Sequence, residues 1–144
     1  MKKLLIISAI GCLLMGFTLQ KETPEYIPQN QDPLKESIER GAEVYTEYCV
    51  QCHLGKGEGI PKTFPPLAKS DWLTKNNITN AIRVVKYGQT GEIKVNGETY
   101  NGVMAELGLY EDEVADVMNY IMNSWGNSYD SMITEEQVKK VTKE

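Results

Sequence analysis

The chain has 144 residues, with 15 Lys and Arg against 20 Asp and Glu, a formal charge of −5 and 41% hydrophobic residues. That length bounds one domain, and the acidic balance excludes nucleic acid as a partner. Three cysteines and one histidine exclude chemistry that needs a spare histidine as acid or base.

Met1-Lys2-Lys3 precedes the apolar run Leu4-Leu5-Ile6-Ile7-Ser8-Ala9-Ile10-Gly11. A basic start and a short apolar run read as a secretory signal over residues 1–19. The run ends by Leu19, short of the roughly 20 residues of a spanning helix; a retained N-terminal anchor is the alternative. Ala9-Ile10-Gly11-Cys12 resembles a bacterial lipobox, with Ala9 where Leu is common. On that reading Cys12 is acylated and tethers the protein to a membrane; otherwise it is a signal cysteine without a role. Every one of these readings exports the domain, in a bacterium to the periplasm. Loss of Lys2 and Lys3 with the signal takes the charge from −5 to −7. That sign favours partners with a basic docking face, or weak steering.

Pro24, Pro28 and Pro33, with Gln29, Asn30 and Gln31, show no apolar periodicity and mark residues 20–33 as a linker. A helix begins near Pro33-Leu34, since Pro suits a first helical turn. Its apolar stripe is Leu34, Ile38, Ala42 and Tyr45, widened by Val44 and Tyr48, with Glu36, Glu39, Glu43 and Glu47 opposite. Gly41 interrupts the stripe at a cost of about 1 kcal/mol against Ala. Either another helix approaches closely there or the Gly is merely tolerated.

This helix runs into Cys49-Val50-Gln51-Cys52-His53. The pattern is C-x-x-C-H, the attachment signature of a c-type haem. Two thiols add across the haem vinyl groups, and the next residue places an imidazole beneath the ring. C-x-x-C alone is weak, because thioredoxin-like sites and zinc knuckles share it. His53 narrows it sharply. A closed zinc site wants four ligands, and Cys49, Cys52 and His53 have no obvious fourth. No βαβ pattern surrounds the motif to suggest a thioredoxin.

Gly55, Gly57, Gly59 and Pro61 mark a loop that continues through Pro65-Pro66-Leu67. The Pro65-Pro66 segment offers carbonyls for the second ring nitrogen of His53, and Pro66 or its neighbour is the expected acceptor. Asp71 can cap a short turn carrying Trp72 and Leu73. A second helix fits Ile78 to Tyr87, capped by Asn77 or Thr79 and stopped by Gly88, with Ile78, Ala81, Ile82 and Val85 inward. Ile93 to Tyr100 contains Asn96-Gly97 between β-prone runs and reads as a hairpin. Such short strands are marginal alone, so the hairpin must lean on something. Asn101 to Met104 comes next as irregular chain.

The last strong helix spans about Tyr110 to Trp125. Glu111, Asp112 and Glu113 suit its first turn. Val114, Val117, Met118, Ile121 and Met122 form its buried stripe, and Gly126-Asn127 stops it. Residues 128–144 read as a polar C-terminal tail with a weak helix from about Thr134 to Thr142. The folded domain is thus 34–127. Its own core is thin for that size, so a haem between the helices supplies apolar contact and the apoprotein is expected to fold poorly.

One more axial ligand is needed, and no second histidine exists. Met118 and Met122 lie on a core face and Met132 in a polar tail, which leaves Met104, after Gly102 in a loop that can wrap the far side of a ring. The alternative is that Met104 only packs and the sixth position stays open. Trp72 and Tyr100 are amphipathic side chains placed either to bond haem propionates or to pack at the rim.

The ordered set C-x-x-C-H, Pro65-Pro66-Leu67, Ser70-Asp71-Trp72, Val95-Asn96-Gly97, Tyr100, Met104 and Ala115-Asp116-Val117 to Trp125-Gly126-Asn127 resembles the class I cytochrome c family. The likeness covers about residues 36–127 and is strongest to bacterial mono-haem domains, stand-alone or fused to copper nitrite reductases or sugar dehydrogenases. It implies an all-α fold of short helices around one covalent haem c held through Cys49 and Cys52, with the small hairpin before the Met loop. It implies that Gly41 and Tyr45 of the first helix pack on Tyr120 of the last. It implies His53 and Met104 as axial ligands and Pro66 as the source of the His-orienting carbonyl. One departure is Ala105, where a Pro commonly follows the ligand Met; the loop is then less rigid.

The function implied is single-electron transfer, without a reaction on a substrate, between redox partners of the oxidase, reductase or dehydrogenase kind. A gas or redox sensor, or a peroxidase-like enzyme with an open sixth position, is the competing reading. A subunit that delivers electrons inside a larger complex shares the first chemistry.

Overall fold

A computed structural model describes residues 32–143. The signal over 1–19, Cys12 and the linker up to residue 31 lie outside the described residues.

Helix α1 (Pro33–Val44) starts where expected. The Asp32 carboxylate accepts the Leu34 N–H at 3.0 Å, and Pro33 removes one donor that would lack a partner. Its most buried positions are not the apolar ones. Ser37 is 0% exposed and Gly41 is buried, whereas Leu34, Ile38 and Ala42 are half-buried and Tyr48 is 38% exposed. Close approach of a second helix explains this. A Cβ on Gly41 would overlap the carbonyl of Asp116 and come 2.9 Å from the Cβ of Tyr120. Small residues are what let α1 lie against α4 (Glu111–Met122). Tyr45 packs on Tyr120 with ring centroids 5.4 Å apart, as the family likeness implied.

A polar network locks that crossing. Ser37 Oγ donates to Asp116 Oδ1 at 2.6 Å, and Arg40 forks onto both Asp116 oxygens at 2.6 and 2.8 Å. Asn119 Nδ2 donates to Ser37 Oγ at 2.8 Å. Among the described residues no buried side-chain N or O lacks a partner, as a stable interior requires.

A 3₁₀ turn (Lys75–Asn77) leads into α3 (Ile78–Tyr87), whose bounds match the sequence expectation. Ala81 and Ile82 are buried and Gly88 takes φ +79° past its end. Strands β1 (Gln89–Val95) and β2 (Glu98–Met104) form the antiparallel hairpin, with Val95 opposite Glu98 and Gln89 opposite Met104. Asn96 and Gly97 both take positive φ, which suits a two-residue hairpin turn. The hairpin is longer than the Ile93–Tyr100 expectation. Asn101 to Met104 are strand, not irregular chain, because Gln89 to Glu92 run extended beside them.

Helix α4 stops at Met122, short of the expected Trp125. The side-chain amides of Asn123 and Asn127 donate to the carbonyls of Asn119 and Ile121 at 2.9 and 2.7 Å. Trp125 then takes φ +52°, and its ring packs at a tilt 4.9 Å from Tyr45 and edge-on 5.3 Å from Tyr120. Nor does the core end at Asn127. Ile133, Val138 and Val141 are buried, and Asn119 grips the backbone of Ile133 with two 2.8 Å hydrogen bonds. Helix α5 (Glu135–Lys140), capped by Thr134, belongs to the same core. The expected division at residue 127 therefore falls inside one packed unit. Among the described residues no helix is long and apolar enough to cross a membrane.

Candidate functional site

Between α1 and the C-x-x-C-H residues the helix widens into a π turn (Tyr45–Cys49), closed by Val50 N–H on the Tyr45 carbonyl, before α2 (Val50–His53). Such an extra residue rotates the downstream chain and is frequent at functional sites. Here Cys49 and His53 become buried and Cys52 half-buried, all on one wall of a cleft. The thiols are free. Burial first, and the neighbouring Cys52 second, push the Cys49 thiol up to about 11.

Leu54 turns the chain with φ +63°, and Tyr45 Oη donates to its carbonyl at 2.6 Å. Burial, above all, raises the Tyr45 hydroxyl well beyond its ordinary value, so it stays a donor. Gly59 N–H then donates to the His53 carbonyl at 3.0 Å. Gly59 has φ +63°, and a Cβ there would overlap the Phe64 carbonyl and lie 2.7 Å from that of Pro65. The tight return brings the Pro65 carbonyl 2.9 Å from His53 Nδ1. This corrects the Pro66 expectation by one residue: Gly59 aims the Pro65 carbonyl at the ring, and Pro66 lines the cleft. Burial lowers the His53 pKa, with the Pro65 contact opposing. The neutral ring donates from Nδ1 and keeps its lone pair on Nε2, the atom a metal needs.

The cleft holds about 1090 Å³ of empty space, its mouth included, and its lining is overwhelmingly apolar. Leu67, Leu73, Ile93, Val95, Val117 and Ile121 contribute to it. Met104 lines it too, half-buried at the end of β2. Met118, Met122 and Met132 do not, and the first two are 0% exposed in the core. Trp72 lines the cleft, but its Nε1–H donates to the Lys94 carbonyl at 2.6 Å. It anchors the hairpin and has no N–H left for a propionate. Tyr100 is largely buried in the lining, but its hydroxyl reaches solvent and has no hydrogen-bond partner among the described residues.

Sequence reading missed several of these parts. Ser70, not Asp71, closes the turn under Trp72, its Oγ accepting the Trp72 N–H at 3.3 Å. Asp71 instead exchanges two 2.9 Å hydrogen bonds with Asn96 and ties the hairpin turn to this loop. Thr63, Phe64 and Pro65 also line the cleft. The π turn left no signal in the residues. Among the described residues no three His, Cys, Asp or Glu side chains converge as a metal cluster.

The sequence matches the cytochrome c family over residues 38–125. The chain belongs to that family, as a class I c-type cytochrome domain. It is 39% identical over 109 residues to cytochrome c-552 of Thermus thermophilus, covering 70% of this chain and 82% of that one. It is 31% identical over 104 residues to the cytochrome c subunit of a quinone alcohol dehydrogenase from Gluconacetobacter polyoxogenes, covering 70% of this chain and 22% of that one. A gluconate 2-dehydrogenase cytochrome c subunit from Pantoea cypripedii is 31% identical over 107 residues, covering 24% of its length. Domains of this family carry electrons and are not enzymes.

Proposed function

We propose that this protein is an exported single-electron carrier holding one haem c, bound through Cys49 and Cys52 and ligated by His53 and Met104. The observation that carries the reading is that both thiols, the only histidine and one thioether line a single apolar cleft. The donor set fits the group. Two thiols suit thioether attachment, His53 has one nitrogen engaged and one free, and a soft sulfur stands in the same cleft. When bound, the haem iron gains and loses one electron, and His/Met ligation raises its potential above that of bis-His sites.

The protein's own residues set the conditions. Pro65 fixes the His53 ring and makes it a stronger donor. Leu67, Leu73, Val117 and Ile121 keep water out, which disfavours the extra charge of the oxidised form. Tyr100 offers a spare hydroxyl at the lining for a carboxylate edge.

Export rests on residues 1–19, and tethering on Cys12, with the linker giving reach. Redox proteins are the partners in this reading: an oxidase, a reductase or a dehydrogenase. Relatives that are cytochrome c subunits of dehydrogenases support the last of these.

The test is the intact mass of the protein matured in a haem-attaching host, with its visible spectrum. One haem per chain, lost in the Cys49→Ala/Cys52→Ala double variant, and a low-spin spectrum turned high-spin by Met104→Ala are the expected results. Two haems, none, or a spectrum indifferent to Met104→Ala would overturn the assignment.

A further inference from the structure

Residues 138–143 cross the back of α3 and reach the chain just after Met104. Lys86 Nζ donates to the Val138 carbonyl at 3.2 Å, Tyr87 Oη to the Val141 carbonyl at 3.1 Å, and Arg83 Nε to the Thr142 carbonyl at 3.1 Å. Val138 and Val141 are buried beneath these contacts. Lys143 Nζ lies 3.6 Å from Glu106 Oε2, and Lys86 Nζ lies 3.5 Å from Glu111 Oε1. Both ends of the 105–110 loop are thus tied to α3 or to the 138–143 segment. Gly88, at the end of α3, abuts the loop from the other side. With φ +79°, its Cα faces the Met104 carbonyl, and a Cβ would lie 2.5 Å from that oxygen and 3.0 Å from the Glu106 nitrogen. A second hollow, lined by Arg83, Tyr87, Gly88, Ala105, Glu106 and Lys143, lies against the loop and leaves it loosely packed on that side. Ala105 has no ring to fix its φ, so the loop's stiffness must come from these contacts.

We propose that the 138–143 strap is a positioning element for Met104: through α3, Gly88 and the Lys143–Glu106 pair it holds the Met104 loop closed over the cleft. This rests on the His53/Met104 reading. None of the strap residues lines the cleft. The strap sets how often the thioether leaves, and so the rate at which an outside ligand enters and the potential of the site. Outward movement breaks the exposed Lys143–Glu106 pair, weak by itself, but the three carbonyl contacts act together.

The test is imidazole binding to the ferric, haem-loaded protein, followed to its limiting rate at high imidazole, together with the reduction potential. Truncation after Lys140 removes Val141, Thr142, Lys143 and Glu144. The Tyr87→Phe/Lys143→Ala variant keeps the core and serves if the truncated chain fails to fold. The strap variants are expected to raise the limiting rate, which is the rate of thioether release, about tenfold, equivalent at unchanged closing rate to a tenfold larger open population, and to lower the potential as thioether ligation weakens. Ser37→Ala, which weakens the distant α1–α4 network, is expected to lower the melting temperature and leave both readouts unchanged. Unchanged rate and potential in both strap variants, with Met104→Ala binding imidazole at once, would reduce the strap to general stability and overturn the proposal. Wild type that binds as fast as Met104→Ala would instead remove the His/Met reading beneath it.

Discussion

His53 Nδ1 and the Pro65 carbonyl are 2.9 Å apart because Gly59, in the left-handed region, lets the loop double back between them. Gly59→Ala adds a Cβ where the Phe64 and Pro65 carbonyls already sit, at a positive φ that alanine resists. It is expected to cost about 1–3 kcal/mol, read as a lower denaturant midpoint of the haem-loaded protein. A midpoint equal to wild type would mean that the loop has slack the geometry does not suggest. Tyr45 is a second single-residue hinge, its hydroxyl donating to Leu54 O where the chain leaves α2. Tyr45→Phe keeps the ring contacts with Tyr120 and Trp125 and leaves that carbonyl with the Gly57 N–H, at 3.1 Å, as its remaining partner. The expected loss is about 1 kcal/mol, without a change in the visible spectrum, because no ligand moves.

The α1–α4 crossing is decided by small and polar residues rather than by the apolar stripe. Gly41→Ala forces a Cβ into the Asp116 carbonyl, and the helices must separate. The expected destabilisation is about 1–3 kcal/mol or more, measured by thermal unfolding; a stabilised variant would contradict the close approach. Periodicity made α3 legible to the residue, since Ile78, Ala81, Ile82 and Val85 fall on one face and Gly88 stops it. Asn96-Gly97 made the hairpin turn legible for the same local reason. Periodicity could not find Ser37 as the most buried point of α1, because closeness there selects for size, not hydrophobicity. Nor could it place Met104 in β2 or Pro65 on His53, since both depend on partners far along the chain. The segment after Asn127 looked polar because only Ile133, Val138 and Val141 carry its burial.

At the scale of the whole molecule, two packed regions flank an apolar cleft. One is the α1–α4–α5 core; the other is the hairpin with the loop that Trp72 and Asp71 tie to it. Much of the cleft wall is apolar side chain with water as its neighbour when the haem is absent. Exposed apolar area costs about 25 cal/mol per Å². The Cys49→Ala/Cys52→Ala variant, which cannot attach haem, is therefore expected to lose helical circular dichroism and to unfold at a lower temperature. Native-like dichroism without haem would show that the two regions close on each other unaided. The most direct test of the closed site is the reduced spectrum before and after carbon monoxide. His53/Met104 ligation predicts a low-spin spectrum that carbon monoxide leaves unchanged in the wild type and shifts in Met104→Ala. Prompt binding by the wild type would contradict it and leave an open sixth position, the property of a gas sensor or a peroxidase-like enzyme.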